Sequence, residues 1–291
     1  MDLLVIGRSG QVAQSLAARA GARGDVVVTL LGRPTLDLSA LSQLECALGD
    51  RRPDALINAA AYTNVDGAES DKDAAFALNA EAPAALASWA HDRGVPFVHL
   101  STDYVFDGVK GTPYKEIDTP APIGVYGASK LAGEQNVARA NPDAIIVRTA
   151  WVYSPYGKNF VKTMLRLATD RDAVSVVADQ RGRPTSALDI ADGVIDVCLE
   201  GIEAGGVYHM CGEGEATWAD LAEAAFAESA RLGGPSARVE RIPSSAYPTP
   251  AKRPANSRLD CAKLEEVFGV VLPDWRASVK ACVAQILENA D

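Results

Sequence analysis

Leu3-Leu4-Val5-Ile6-Gly7-Arg8-Ser9-Gly10-Gln11-Val12-Ala13 decides the fold. Four apolar residues end on a glycine, the pattern of a short buried strand. From Gln11 to Ala22 the chain is alanine-rich, with Val12, Leu16 and Ala20 on one helical face. A glycine turn between a buried strand and a helix start suits a pyrophosphate. Glycines permit close approach, and the helix end supplies N–H groups and partial positive charge. The spacing is Gly-x-x-Gly-x-x-Ala, with Ala13 where a third glycine is more usual. An ordinary strand–helix turn has the same letters, but the position after the first strand favours a dinucleotide cradle built on Gly7 and Gly10.

The same alternation continues outward. Val26–Leu31, Ala55–Asn58, Val95–Leu100 and Ala144–Val147 read as strands, and Ala74–Arg93 and Gly124–Asn141 as helices. Strands alternating with helices predict an α/β fold with a doubly wound parallel sheet. Beyond residue 150 the helices are 159–169, 188–199, 218–231 (capped by Thr217, with Asp220 in its first turn) and about 276–289. Residues 206–211 read as a strand and 243–257 as a long loop. The expected division is a core of 1–150, completed by parts of about 171–212. A smaller, partly irregular lobe takes about 151–170 and 213–291.

Composition narrows the function. The 291 residues are 48% hydrophobic and 23% charged, ordinary values for a globular protein. A net charge of −10 argues against general nucleic-acid binding, though local groups can still hold a small phosphate ligand. No apolar run reaches the length of a membrane span, and Met1–Gly7 lacks the basic start of a signal peptide, so a cytoplasmic protein is expected. Five scattered cysteines without a Cys-x-x-Cys pair, and three histidines without ligand spacing, predict free thiols and no metal.

The second strand ends Leu30-Leu31-Gly32-Arg33, with no acid for a ribose 2′-hydroxyl. Arg33, helped by Arg8, suits a 2′-phosphate, so NADPH is preferred with NADH as the alternative. Asp37 is placed to accept from the adenine amino group. Tyr126 and Lys130 stand four apart at a helix start, hence on one face, and a nearby cation favours a phenolate. Thr102 or Ser101, at the carboxyl edge of the sheet, offers a hydroxyl to a carbonyl. Asn58-Ala59-Ala60-Ala61-Tyr62-Thr63 leaves room for a nicotinamide ribose.

Together these motifs resemble the extended short-chain dehydrogenase/reductases, and among them the dTDP-4-dehydrorhamnose reductases. The resemblance covers essentially the whole chain. It rests on residues 7–13, 58–70, 101–108 (STDYVFDG), 126–134 (YGASKLAGE), 148–168 and 179–185 (DQRGRPT). It implies NAD(P)H-dependent reduction of the C4 ketone of a dTDP-4-keto-6-deoxy-L-hexose to dTDP-L-rhamnose. Tyr126 would be the proton donor, Lys130 its tuner and ribose anchor, and Thr102 the carbonyl partner. Gly10, Gln11 and Val12 would contact the pyrophosphate, and Asp37 and Leu38 the adenine. Ala61, Tyr62, Thr63 and Tyr104 would line the rest of the cofactor. Asp103 would meet the sugar and Trp151 would pack on it. Asn159, Arg183 and Arg253 are candidates for the nucleotide diphosphate, which makes the smaller lobe a sugar-nucleotide lobe. Some members dimerise through glutamate-held magnesium. Ser15 and Leu188 stand at two of those positions here, which implies a monomer or weak homodimer without a bridging metal. Two alternatives remain open. One is a 4-ketoreductase for another dTDP-4-keto-deoxysugar. The other is a non-catalytic regulatory subunit, against which the complete Thr102, Tyr126 and Lys130 set argues.

Overall fold

The computed structural model describes residues 1–201 and 204–289; residues 202–203, inside the expected 171–212 span, and 290–291, at the end of the 213–291 span, lie outside the described residues. Five strands follow the sequence reading closely: β1 (Asp2–Ile6), β2 (Val27–Leu31), β3 (Ala55–Asn58), β4 (Phe97–Thr102) and β5 (Ile145–Thr149). With Gly206–His209 they form one six-stranded sheet, in the order Gly206–His209, β5, β4, β3, β1, β2. Every pairing is parallel. The chain runs from β1 to β2 on one side, then crosses to β3 on the other. This reversal opens a crevice at the carboxyl ends of β1 and β3, where doubly wound sheets bind ligands.

Alternation along β1 shows why the sheet needs two covering layers. Leu3 and Val5 pack with Leu16, Ile190 and Val194, while Leu4 and Ile6 pack with Leu56, Leu86 and Trp89. Helices Gln11–Ala22 and Ala187–Glu200 cover the first face; Ala82–Asp92 and Val125–Ala140 belong to the second. Strands buried on both sides read as continuous apolar runs, as β1, β3 and β5 do.

Two departures have local causes. Ala173–Val177 does not join the main sheet; it pairs in parallel with Arg238–Ile242. Its alternating burial is that of a strand with one covered face. A separate core surrounds it, including Met164, Phe226, Trp151 and Val279. The expected single helix 74–93 is interrupted by a π turn at Ala77–Glu81. Pro83 is the cause: it has no N–H for the Asn79 carbonyl four residues back, and its ring crowds that carbonyl. On the neighbouring helix, Gly133 leaves the space this carbonyl needs; a Cβ at Gly133 would lie 2.0 Å from Asn79 O. Thr217 caps Trp218–Arg231 in a full capping box with Asp220.

Candidate active site

The crevice is a cleft of ≈ 820 Å³. At its head, Gly7 has φ +123°, and a Cβ there would press to 3.4 Å from the backbone of Ala59 and Ala60. Gly10 caps the helix Gln11–Ala22 without a side chain, and no acid stands in its first turn. The first N–H groups therefore remain available to an anion. Gln11 is tied to the far wall, its Oε1 accepting from Ser154 Oγ at 3.0 Å. Gly7, Gly10, Gln11, Val12, Arg33, Asp37, Leu38, Ala61, Thr63, Tyr126 and Lys130 all line this one cleft. Arg8 and Arg33 are exposed at its rim, and among the described residues neither makes an ion pair. Asp37 Oδ1 accepts from Ser39 N and Oγ, which holds its carboxyl below the usual range.

The reactive groups lie at the floor. Tyr126 opens the helix Val125–Ala140, and its ring meets Tyr104 edge-on at 5.6 Å. Burial pushes the phenol up to about 12. Thr102 Oγ1 donates to Asp103 Oδ1 at 2.9 Å. Asp103 is 2% exposed, and its Oδ2 has no partner. Burial raises its carboxyl to about 7. Lys130 Nζ donates to Leu100 O at 2.7 Å and stands 3.4 Å from His99 Nε2. Burial lowers its pKa to about 8. Burial is the dominant influence at Tyr126, and Lys130 Nζ is engaged with Leu100 O.

Asn79, which lies outside the quoted motifs, and Glu134, which ends one, also frame the floor. Asn79 Oδ1 accepts from Tyr62 N at 2.8 Å, and Nδ2 donates to Tyr62 O at 3.1 Å and to Ser129 Oγ at 2.9 Å. One amide thus clamps the 61–63 loop to the Tyr126 helix. Tyr62 contributes its backbone to this clamp and does not line the cleft. Below, Glu134 takes two hydrogen bonds from Arg148, at 2.9 and 2.6 Å, and one from Ser101. The pair is 3% and 5% exposed, so each charge depends on the other.

A family model described as "RmlD substrate binding domain" matches residues 1–288. A dTDP-4-dehydrorhamnose reductase of Sinorhizobium fredii is 49% identical over 297 residues, covering 100% of both chains. The chain belongs to this reductase family. A solved dTDP-4-dehydrorhamnose reductase from Bacillus anthracis, in complex with NADP, superposes with a TM-score of 0.90 at 32% identity; 98% of this chain and 99% of that one are covered. A Streptomyces antibioticus protein named as a probable dTDP-4,6-dihydroxy-2-methyloxan-3-one 4-ketoreductase is 41% identical, over 99% of this chain and 96% of its own.

The reductase's expected sugar-nucleotide residues fare unevenly. Arg183 is spent on the scaffold, donating to Gly212 O at 2.9 Å and Leu259 O at 2.8 Å. Asn159 is the N-cap of Phe160–Leu167; its Oδ1 accepts from Lys162 N, and its Nδ2 donates to Ser154 O. Asn159 thus makes its hydrogen bonds to backbone, and Arg183 commits Nε and Nη1 to backbone carbonyls. Trp151 is 9% exposed, with φ +48°. One of its faces stacks on Trp218 at 3.7 Å, and its Nε1 donates to Ser257 Oγ. That face is a wall of the smaller core. Arg253 pairs with both oxygens of Asp66, at 3.1 and 2.8 Å, joining the 249–257 loop to the helix Val65–Ala68. Ser15 and Leu188 are buried on helices that pack together, Ser15 fully and Leu188 at 6% exposure.

Proposed function

We propose that this protein reduces the C4 ketone of dTDP-4-dehydro-L-rhamnose with NADPH, giving dTDP-L-rhamnose. The observation that carries this reading is that Tyr126 and Lys130 line the same cleft as the glycine turn at Gly7 and Gly10, in a chain half identical to a reductase of that name. The residues fit the cofactor. The bare backbone at Gly7 and Gly10 and the uncapped helix start suit its pyrophosphate, Arg33 and Arg8 its 2′-phosphate, and Asp37 and Leu38 its adenine. Ala61, Thr63 and Lys130 bound the nicotinamide-ribose end, with Tyr104 packed beside Tyr126. When bound, the dihydronicotinamide supplies the hydride.

The remaining chemistry belongs to the protein. Hydride arrival at C4 turns the carbonyl oxygen into a developing alkoxide. Tyr126, whose raised pKa keeps it a phenol, gives that oxygen its proton. Thr102 now spends its hydrogen on Asp103; turned to the ketone oxygen, it exchanges that bond for one that strengthens as charge develops. Asp103 Oδ2, buried and unpartnered, suits a sugar hydroxyl. Arg253 suits the nucleotide diphosphate once it leaves Asp66. We assign the cofactor to 1–150 with the helix Ala187–Glu200 and Gly206–His209, and the sugar nucleotide to 151–170 and 213–291. Free thiols at all five cysteines support a reducing compartment, the cytoplasm. Among the described residues no helix is long and apolar enough to cross a membrane. We assign a monomer or weak homodimer without a bridging metal.

The test is NADPH oxidation with dTDP-4-dehydro-L-rhamnose by wild type and Tyr126→Phe. Loss of roughly 10²–10⁴-fold in kcat/KM is expected; unchanged turnover refutes the proton-donor role. The Streptomyces relative motivates a second reading, 4-keto reduction of another dTDP-deoxysugar. Faster turnover of such a ketone in the same assay would establish it.

A further inference from the structure

The helix that carries Tyr126 and Lys130 begins without a cap of its own. Its N-cap is Gly124, extended at φ −146° and ψ 167°, with no side chain to offer the first N–H groups. Tyr126 is the second residue of that helix, in the turn whose amides have no partner within it. Helix ends of this kind open at little cost unless something outside holds them. Glu69 holds this one: its Oε1 accepts from Val125 N at 2.9 Å, across 56 positions of chain. The missing side chain at 124 is what admits it, since a Cβ there would lie 2.9 Å from the same Oε1. Glu69 is itself steadied. Its N–H donates to Asp66 O, and Asn64 caps the helix Val65–Ala68 by accepting from Gly67 N at 3.0 Å. Asp66 Oδ1 accepts from Ala251 N at 3.0 Å, which ties the same segment to the 249–257 loop. On the other side of Tyr126, Gly127 presses so closely on Tyr104 that a Cβ would overlap its carbonyl oxygen.

We infer that Glu69 is a positioning residue for the reaction: its carboxylate caps the Tyr126 helix from a distant segment and fixes where the phenol is presented. Glu69 does not line the cleft, so it acts through the helix and not on a ligand. A carboxylate is the suitable cap, because its bond to an N–H is charge-assisted and the positive end of the helix attracts it. The phenol must meet a developing alkoxide, and a misplacement of ~1 Å costs on the order of 10²-fold in rate. This role rests on the reductase reading of Tyr126.

Glu69→Ala should lower kcat about fivefold to tenfold, the worth of one lost cap, and leave KM for NADPH unchanged. Hydrogen exchange at Val125 N–H should quicken by a similar factor. Gly124→Ser, added to Glu69→Ala, puts a capping hydroxyl at the vacated place and should restore both slow exchange and most of kcat. In a Tyr126→Phe background Glu69→Ala should lower the residual rate little, because the group it positions is gone. Wild-type kcat and exchange in Glu69→Ala overturn the proposal. So does a loss that Gly124→Ser leaves unrestored, or an equal loss in the Tyr126→Phe background. Unchanged turnover in Tyr126→Phe alone brings down the reading of Tyr126 itself; turnover lost there and kept in Glu69→Ala overturns only the role of Glu69.

Discussion

Replacing Asn79 by leucine tests whether the amide clamp under the cofactor loop matters as its geometry implies. Asn79 is fully buried, and its three hydrogen bonds, at 2.8, 3.1 and 2.9 Å, hold Tyr62 from both backbone sides and reach Ser129. Leucine is close in size, so packing is largely kept while three partners lose their bonds. A buried polar group left unpaired costs ~1–3 kcal/mol. Tyr62 is half-buried, so water recovers part of its two groups. Taking the low end for each of these and for Ser129, whose Oγ keeps its bond to Tyr126 O, gives about 3 kcal/mol. Burying an apolar side chain in place of an amide returns ~2 kcal/mol. The net loss is then about 1 kcal/mol, a measurable share of a typical domain's stability. Urea unfolding reads it as a lower midpoint at unchanged slope. The loop lines the cleft, so the NADPH Kd, followed by tryptophan fluorescence, should rise about tenfold or more. A stability loss under ~0.5 kcal/mol, within the range of neutral surface changes, with an unaltered Kd, would refute the reasoning.

Arg33→Ala should raise the Kd for NADPH by roughly tenfold, the worth of one charge-assisted bond, and leave NADH nearly unchanged; equal effects on both would remove the 2′-phosphate role. Asp103, raised by burial from 3.8 to about 7, is protonated in the folded chain across a range where the unfolded chain has ionised. Its contribution is present below pH 4 and is lost as pH rises toward 7. Asp103→Asn should therefore gain stability relative to wild type between pH 4 and 8, by roughly 4 kcal/mol at full extent. A pH-independent difference in urea midpoints would show that the carboxyl is not protonated. Sedimentation with and without EDTA should give one mass, because buried Ser15 and Leu188 replace anionic ligands; an EDTA-sensitive dimer would overturn that.

The legible parts of the sequence were those whose logic is local. The glycine turn, the i, i+4 pair Tyr126 and Lys130, and the capping box at Thr217 each need fewer than eight residues. What escaped depends on distant partners. Asn79 reaches Ser129 fifty positions on, and His99 meets Lys130 thirty-one positions on. Ala173–Val177 finds its strand partner some 65 residues later. Pro83 was a readable signal for the π turn, since a proline inside a helical run leaves the carbonyl four residues back unpaired. Arg183 and Asn159 illustrate a second difficulty: residue types that suit phosphate also suit backbone carbonyls and helix ends, and both make such bonds here.

The two unpaired arginines at the mouth of the cleft have a consequence for ionic strength. A chain of net charge −10 repels a polyanionic cofactor at long range, while Arg8 and Arg33 attract it at contact. Added salt screens the distant repulsion first, because the Debye length shrinks from ~30 Å at 0.01 M to ~8 Å at physiological strength. Association should therefore quicken on the first addition of salt and slow only when the arginines themselves are screened. Such an optimum is the reverse of the steady decline seen for a ligand drawn in by an oppositely charged protein.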